Sequence, residues 1–339
     1  MSFETTTPQR TPVRRRFALH AAAIALTASF AALAPAMSMA QAWPSKPVRL
    51  IVNFPPGSSP DVVARAIGTP LSQALGQPVV IDNRAGASGL IGAEAVAKSA
   101  PDGYTLLVSA GSSFTMVPHM MPKMSFDPVK DFVPVAGIGR IDIFLVTRND
   151  QPYANFQEFV KYAKSNPGKL SYSSAGNGTS PHIAGEMLKA MAGLHTVHIP
   201  YRGTTPALQD LLAGNVNYSF DSGASVTHIK SGKLKLLATA GTKRSSQFPE
   251  TPTMDELGLK GFDAGTTHGL FAPAGTPKEV VDRVNAEVNK LLANPQIAQQ
   301  IRAIGAEPAL GTPAEFRASM VADSDRYAAV IKARAIRPD

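Results

Sequence analysis

The chain has 339 residues, no cysteine and a formal charge of +8 at neutral pH. Without cysteine there are no disulfides, thiol nucleophiles or thiolate metal sites. Lys and Arg are scattered singly rather than gathered in one stretch, which argues against a nucleic-acid partner and leaves a weak long-range pull on anions.

Arg10 and Arg14-Arg15-Arg16 precede an Ala-rich apolar run from Phe17 to Pro35, which ends in Ser38-Met39-Ala40 before Gln41. That is the order of a secretory signal. Residues 1–40 are therefore expected to be a signal peptide cut after Ala40, with the mature chain in the periplasm. The leader holds four Arg and one Glu, so the mature part carries +5. No later segment offers the run of about 20 strongly apolar residues that a spanning helix needs.

Strands and helices then alternate. Val48–Val52 reads as a strand, Asp61 to Leu75 as a helix closed by Gly76, and Val79–Ile81 as a strand. A helix over Ile91–Lys98 and a strand over Thr105–Val108 follow. Beyond Val133 come strand Phe144–Val146, helix Phe156–Ser165, strand Leu170–Tyr172, helix Pro181–Met191 and strand Thr196–Ile199. Helix Thr205–Ala213 and strand Val216–Phe220 complete the block. Gly269–Pro273 leads into helices at Lys278–Leu292, Gln296–Ile304 and Pro313–Lys332. Such alternation predicts largely parallel sheets covered by helices. An architecture in which the C-terminal stretch returns to the first domain divides the chain into domain 1, residues 41–141 plus 264–339, and domain 2, residues 142–263; periodicity alone does not prove that return. The two crossings suit a hinge.

In open sheets of this kind, ligands sit where strands end and helices begin. Four such loops are rich in Gly, Ser, Thr and Pro. Phe54-Pro55-Pro56-Gly57-Ser58-Ser59-Pro60-Asp61 follows the first strand; its glycine permits close approach and the helix start supplies free N–H groups. Asp61 or Ser59 equally suits a plain helix cap. Ser112 and Ser113 follow the Thr105 strand, and Ser174-Ala175-Gly176-Asn177-Gly178-Thr179-Ser180-Pro181 precedes a helix. This last loop lacks the Gly-Lys-Ser/Thr ending of a phosphate loop. Tyr201, Gly203 and Asp221 stand at further strand ends, with Arg202 between the first two. No Gly-x-Ser-x-Gly elbow or His-Glu-x-x-His is present. The catalytic alternative is a secreted serine hydrolase using Ser174 or Ser180 with His182.

Trp43-Pro44-Ser45-Lys46-Pro47, Phe54-Pro55-Pro56-Gly57 with Asp61, Asn83-Arg84-Ala85-Gly86-Ala87, Ala100-Pro101-Asp102-Gly103-Tyr104, Gly176–His182, Pro200–Gly203 and Ala272–Pro277 stand in one order. Together they resemble Bug-type receptors, the periplasmic solute-binding proteins of tripartite tricarboxylate transporters. The resemblance implies an α/β, two-domain periplasmic-binding-protein fold (type II-like) with a ligand cleft between the domains. It also implies a receptor and no enzyme. Partners would be a small carboxylate (dicarboxylate, amino acid or aromatic acid) and integral-membrane transporter subunits. No cofactor or metal is implied, and the chain is expected to be a monomer. The ligand residues so implied are Phe54, Pro56, Gly57, Ser58, Asp61, Ser112 and Ser113 on one wall. Ser174, Gly176, Gly178, Thr179, Ser180, Tyr201, Gly203 and Asp221 form the other, with His268 beside them. The chain departs from the family pattern at Ser58, Pro60, Ser222 and His268; His268 is expected to make the cleft polar and sensitive to pH near the usual histidine range.

Overall fold

The computed structural model describes residues 1–6, 43–121, 123–333 and 335–337. Most of the expected signal peptide and its cut after Ala40 lie outside these residues. Contacts divide the chain into Met1–Ala42 and Trp43–Asp339. Residues 1–6 form no helix or strand, and every described element belongs to the second unit.

The first sheet contains β1 (Val48–Val52), β2 (Val79–Asn83), β3 (Thr105–Ser109), β4 (Phe132–Ile141), β10 (Thr266–Pro273) and β11 (Ala306–Pro308). Their order is β11-β4-β10-β3-β1-β2. The second holds β5 (Phe144–Arg148), β6 (Ser171–Ser174), β7 (Val197–Pro200), β8 (Tyr218–Asp221) and β9 (Leu234–Thr239), in the order β7-β6-β8-β5-β9. β1 runs parallel to β2 and β3, and β6 parallel to β7 and β8. β10 is antiparallel to β3 and β4, and β5 to β8 and β9.

Both sheets are thus mixed, where the sequence pattern predicted largely parallel ones. Only Asp142 and Ile143 separate β4 from β5. The two strands lie in different sheets, so this link carries the chain straight from the first sheet into the second. β10 returns beside β4 in the opposite sense. The alternation pattern hid β4 because Pro134, Gly137 and Gly139 interrupt it. In β10, Gly269 is needed for packing: a Cβ there would lie 2.1 Å from the Phe316 ring.

Helix α1 (Ser59–Leu75) shows how the elements pack. Val63, Ala64, Ile67 and Leu71 recur on one face and are fully buried, each large one contributing about 1.5–3 kcal/mol. Gly76, at φ +69°, closes the helix in the left-handed region. Next come α2 (Leu90–Ala97), α3 (Ser112–Thr115), α4 (Val117–Met120), α5 (Phe156–Ser165), α6 (Ser180–Ala192), α7 (Thr204–Ala213) and α8 (Val226–Lys230). After β10, α9 (Lys278–Ala293), α10 (Pro295–Ala303) and α11 (Pro313–Ala333) finish the chain. Phe114 anchors α3: it stacks on Phe271 at 4.2 Å and meets Phe132 edge-on at 5.1 Å.

Candidate functional site

The loop from β1 into α1 is folded by its own side chains. Asp61 is buried, and its carboxylate accepts from Gly57 N at 2.9 Å, Arg65 Nε at 2.9 Å and Asn83 Nδ2 at 2.8 Å. Burial alone would push this carboxyl upward, yet the bonds from Arg65, Gly57 and Asn83 outweigh it and hold it below the usual range. Ser58 Oγ donates to Pro55 O at 2.6 Å. Pro56 and Gly57 lie exposed at the turn, and Gly57 takes φ +79°. With these groups committed to the loop, Ser59 and Pro60 are presented at the helix start.

The loop from β6 into α6 follows the same logic. Thr179 Oγ1 donates to Gly176 O at 2.6 Å, and Gly178 N donates to His182 Nδ1 at 3.1 Å. Ser174, fully buried, pairs with His198 Nε2 at 2.6 Å. Asp221 is buried at the end of β8, where Oδ2 accepts from Gly223 N at 2.9 Å and Ser225 N at 2.7 Å. Burial pushes its carboxyl upward against those bonds. The turn so formed presents Ser222.

Between the sheets these loops enclose a cavity of about 20 Å³, room for one or two waters. Four helix starts line it: Ser59 and Pro60 of α1, Ser112 of α3, Ser180 and Pro181 of α6, and Thr204 of α7. Phe54, Ile141, Ile143, Ala110 and Ala175 add apolar wall, and Thr179, Ser222, Thr266 and His268 add polar groups. None of the lining residues is Asp, Glu, Lys or Arg. Unpaired N–H groups at helix starts carry partial positive charge, so the cavity favours an anion without a cationic side chain.

Around this cavity and its mouth, hydrogen bonds cross from the first-sheet side to the second. Ser59 Oγ donates to Ser222 Oγ at 3.3 Å, Ser180 Oγ meets Thr266 Oγ1 at 3.1 Å, and Ser88 Oγ donates to Asn177 O at 2.6 Å. The last lies at the mouth, an adjoining cavity of about 770 Å³ lined by Phe54, Pro55, Gly86–Gly89, Gly176, Asn177 and Pro200–Gly203. The described residues also form a larger open groove, about 1140 Å³, on the outer face between α9 and α11. None of the ligand residues expected from the sequence lines it.

A family model described as the tripartite tricarboxylate transporter family receptor matches residues 63–336. The chain belongs to that receptor family. Three solved structures resemble this receptor closely. The periplasmic binding protein BugD is 34% identical with a TM-score of 0.82, covering 88% of this chain and 100% of its own. Rpa4515 of R. palustris, solved with adipate, is 34% identical with a TM-score of 0.85 over 88% and 100%. MatC from Rhodopseudomonas palustris, with bound malate, is 32% identical with a TM-score of 0.80 over 85% and 100%. The receptor thus has the α/β periplasmic-binding-protein fold, and its family is one of periplasmic solute receptors that work with membrane transporters.

In the receptor, Phe54, Ser112, Thr179, Ser180 and His268 of the sequence-predicted set line the inner cavity, and Phe54, Gly176, Tyr201 and Gly203 line the mouth. Pro56, Gly57, Ser58, Asp61, Ser113, Ser174, Gly178 and Asp221 line neither; they shape the loops that do. Ser113 Oγ, for example, donates to Ser88 O at 3.0 Å. Tyr201 donates its hydroxyl to Asp210 at 2.5 Å, and burial followed by that carboxylate pushes it up to about 12. The residues proposed for a hydrolase take other partners: Ser174 meets His198, and Ser180 meets Thr266.

His268 corrects one expectation. Burial pushes its ring down to about 3, so it stays neutral through the usual histidine range and supplies no pH switch there. Sequence reasoning missed Ser59, Thr204, Ser222 and Thr266 as lining residues. Ser59 and Thr204 carried the signal of a hydroxyl at a helix start; Thr266, inside an interrupted strand, carried none.

Proposed function

We propose that the receptor binds a small organic carboxylate (dicarboxylate, amino acid or aromatic acid) between the two sheets and delivers it to integral-membrane transporter subunits. In this reading, residues 41–141 plus 264–339 and residues 142–263 are two domains that close on the ligand. Closure excludes water, which strengthens each N–H···anion contact. The mature monomer begins after Ala40, works without cofactor and performs no chemistry.

The carrying observation is the uncharged cavity on which four helix starts converge. The adipate and malate in the solved structures of similar proteins support a carboxylate. The bonds of Ser59, Ser88 and Ser180 across the gap support a closing cleft. The test is calorimetry of unliganded protein against dicarboxylates, amino acids and aromatic acids. Binding of at least one carboxylate with 1:1 stoichiometry is expected. Heat of dilution alone for every acid refutes the proposal.

A further inference from the structure

His268 sits 3% exposed on the cavity wall, and its two ring nitrogens are unequally served. Nε2 lies 2.8 Å from Ser59 Oγ, while Nδ1 is buried with no hydrogen-bond partner among the described residues. Ser59 has one hydroxyl proton, which it donates across the gap to Ser222 Oγ. Ser59 must then accept from Nε2–H. A neutral imidazole has one N–H and one lone pair, so this chain of bonds leaves the lone pair on Nδ1. Burial keeps the ring neutral, so the assignment holds throughout the ordinary pH range.

Resting on the carboxylate-binding reading above, we propose that His268 Nδ1 is a specificity determinant that accepts a hydrogen bond from a hydroxyl or amino group on the ligand's carbon skeleton. The receptor's ligand is then a hydroxy or amino acid rather than a plain alkyl acid. In an open cleft, water satisfies Nδ1. In the closed cleft Phe54, Ile141 and Ile143 form the apolar part of the cavity wall and no described residue pairs with Nδ1, so a ligand without a donor leaves a buried acceptor unpaired. That loss is large compared with thermal energy, and sites built for a hydrogen bond reject the analogue that lacks it.

The experiment measures affinities by calorimetry for matched pairs: succinate with malate and with aspartate, and glutarate with 2-hydroxyglutarate. Oxaloacetate, which offers an acceptor instead of a donor, is the control. Wild type is expected to prefer the donor-bearing member of at least one pair by about tenfold or more and to bind oxaloacetate no better than succinate. Two variants separate the ring nitrogens. His268→Asn places an oxygen near the Nδ1 position and retains the preference; His268→Gln reaches Ser59 but leaves the Nδ1 position empty and loses it. Equal wild-type affinities within every pair overturn the proposal, as does a preference that both variants keep or both lose. Binding of the plain acids with no preference leaves the carboxylate reading standing while this inference falls. Absence of binding by every acid here and across the wider panel of dicarboxylates, amino acids and aromatic acids removes both.

Discussion

Ser88 offers a direct probe of the closed cleft. It lies in the loop after β2 with φ +54° and ψ 32°, beside Ala87 at φ +47°. Two consecutive left-handed residues other than glycine are costly, and the loop is braced where Ser113 Oγ reaches Ser88 O. The Ser88 hydroxyl reaches Asn177 O at 2.6 Å on the facing side. Ser88→Ala keeps the same backbone cost and removes only that bond. A part-buried hydrogen bond contributes about 1 kcal/mol net, so affinity for any carboxylate the receptor binds should fall about fivefold. On the proposed closing-cleft reading the bond exists only between closed walls, so the loss should appear in the off-rate. Stopped-flow binding beside calorimetry reads both rates. Thermal unfolding of the unliganded protein should stay within about 2 °C of wild type, since the core is untouched. An unchanged off-rate, or a fivefold loss confined to the on-rate, would refute the reasoning.

Other expectations follow from the loops and the link between the sheets. Asp61→Ala strips three hydrogen bonds from the first loop and should lower urea-unfolding stability by about 2–3 kcal/mol. Because the folded carboxyl titrates below its unfolded value of 3.8, that contribution is present above pH 3.8 and is lost as pH falls through the folded value. Asp142, on the short link between β4 and β5, behaves oppositely. Burial raises it to about 6, with Ser245 opposing, Glu307 and Asp263 adding to the rise and Arg140 opposing. The folded state therefore holds the extra proton between pH 3.8 and about 6, and stability falls as pH rises through that window, by roughly 3 kcal/mol in all. Asp142→Asn should flatten this slope and raise the melting temperature above pH 6; an unaltered profile contradicts the assignment. Gly269→Ala drives a methyl into Phe316, 2.1 Å from the ring, and should cost about 1–3 kcal/mol, read by thermal unfolding.

The parts legible in the sequence were those encoded locally. Pro55-Pro56-Gly57 and Gly176-Asn177-Gly178 break the chain between a strand and a helix, and hydroxyls follow each break, so the helix starts of α1 and α6, which line the inner cavity, were legible as candidate anion sites. What Asp61 does was not visible. An acid at a helix start reads equally as cap or ligand, and only the fold brings Asn83 and Arg65 to its oxygens. Ile141, Ile143 and Thr266 reach the cavity because β4 and β10 are neighbours, a pairing that spans more than a hundred residues. Glycines and Pro134 mask the alternation of β4. The behaviour of His268 depends on burial, which no motif records. Ser88 escaped notice because its role rests on a left-handed backbone in a loop that reads as an ordinary Gly-Ala-Ser-Gly turn.

A crystal structure of the receptor with a carboxylate identified by calorimetry would test the main idea most directly. The anion's oxygens should lie about 3 Å from main-chain N–H or hydroxyl groups at the starts of α1 and α6, touching both walls, with no Lys or Arg in contact. A carboxylate gripped by Arg202 alone at the mouth, or seated in the outer groove between α9 and α11, would contradict it.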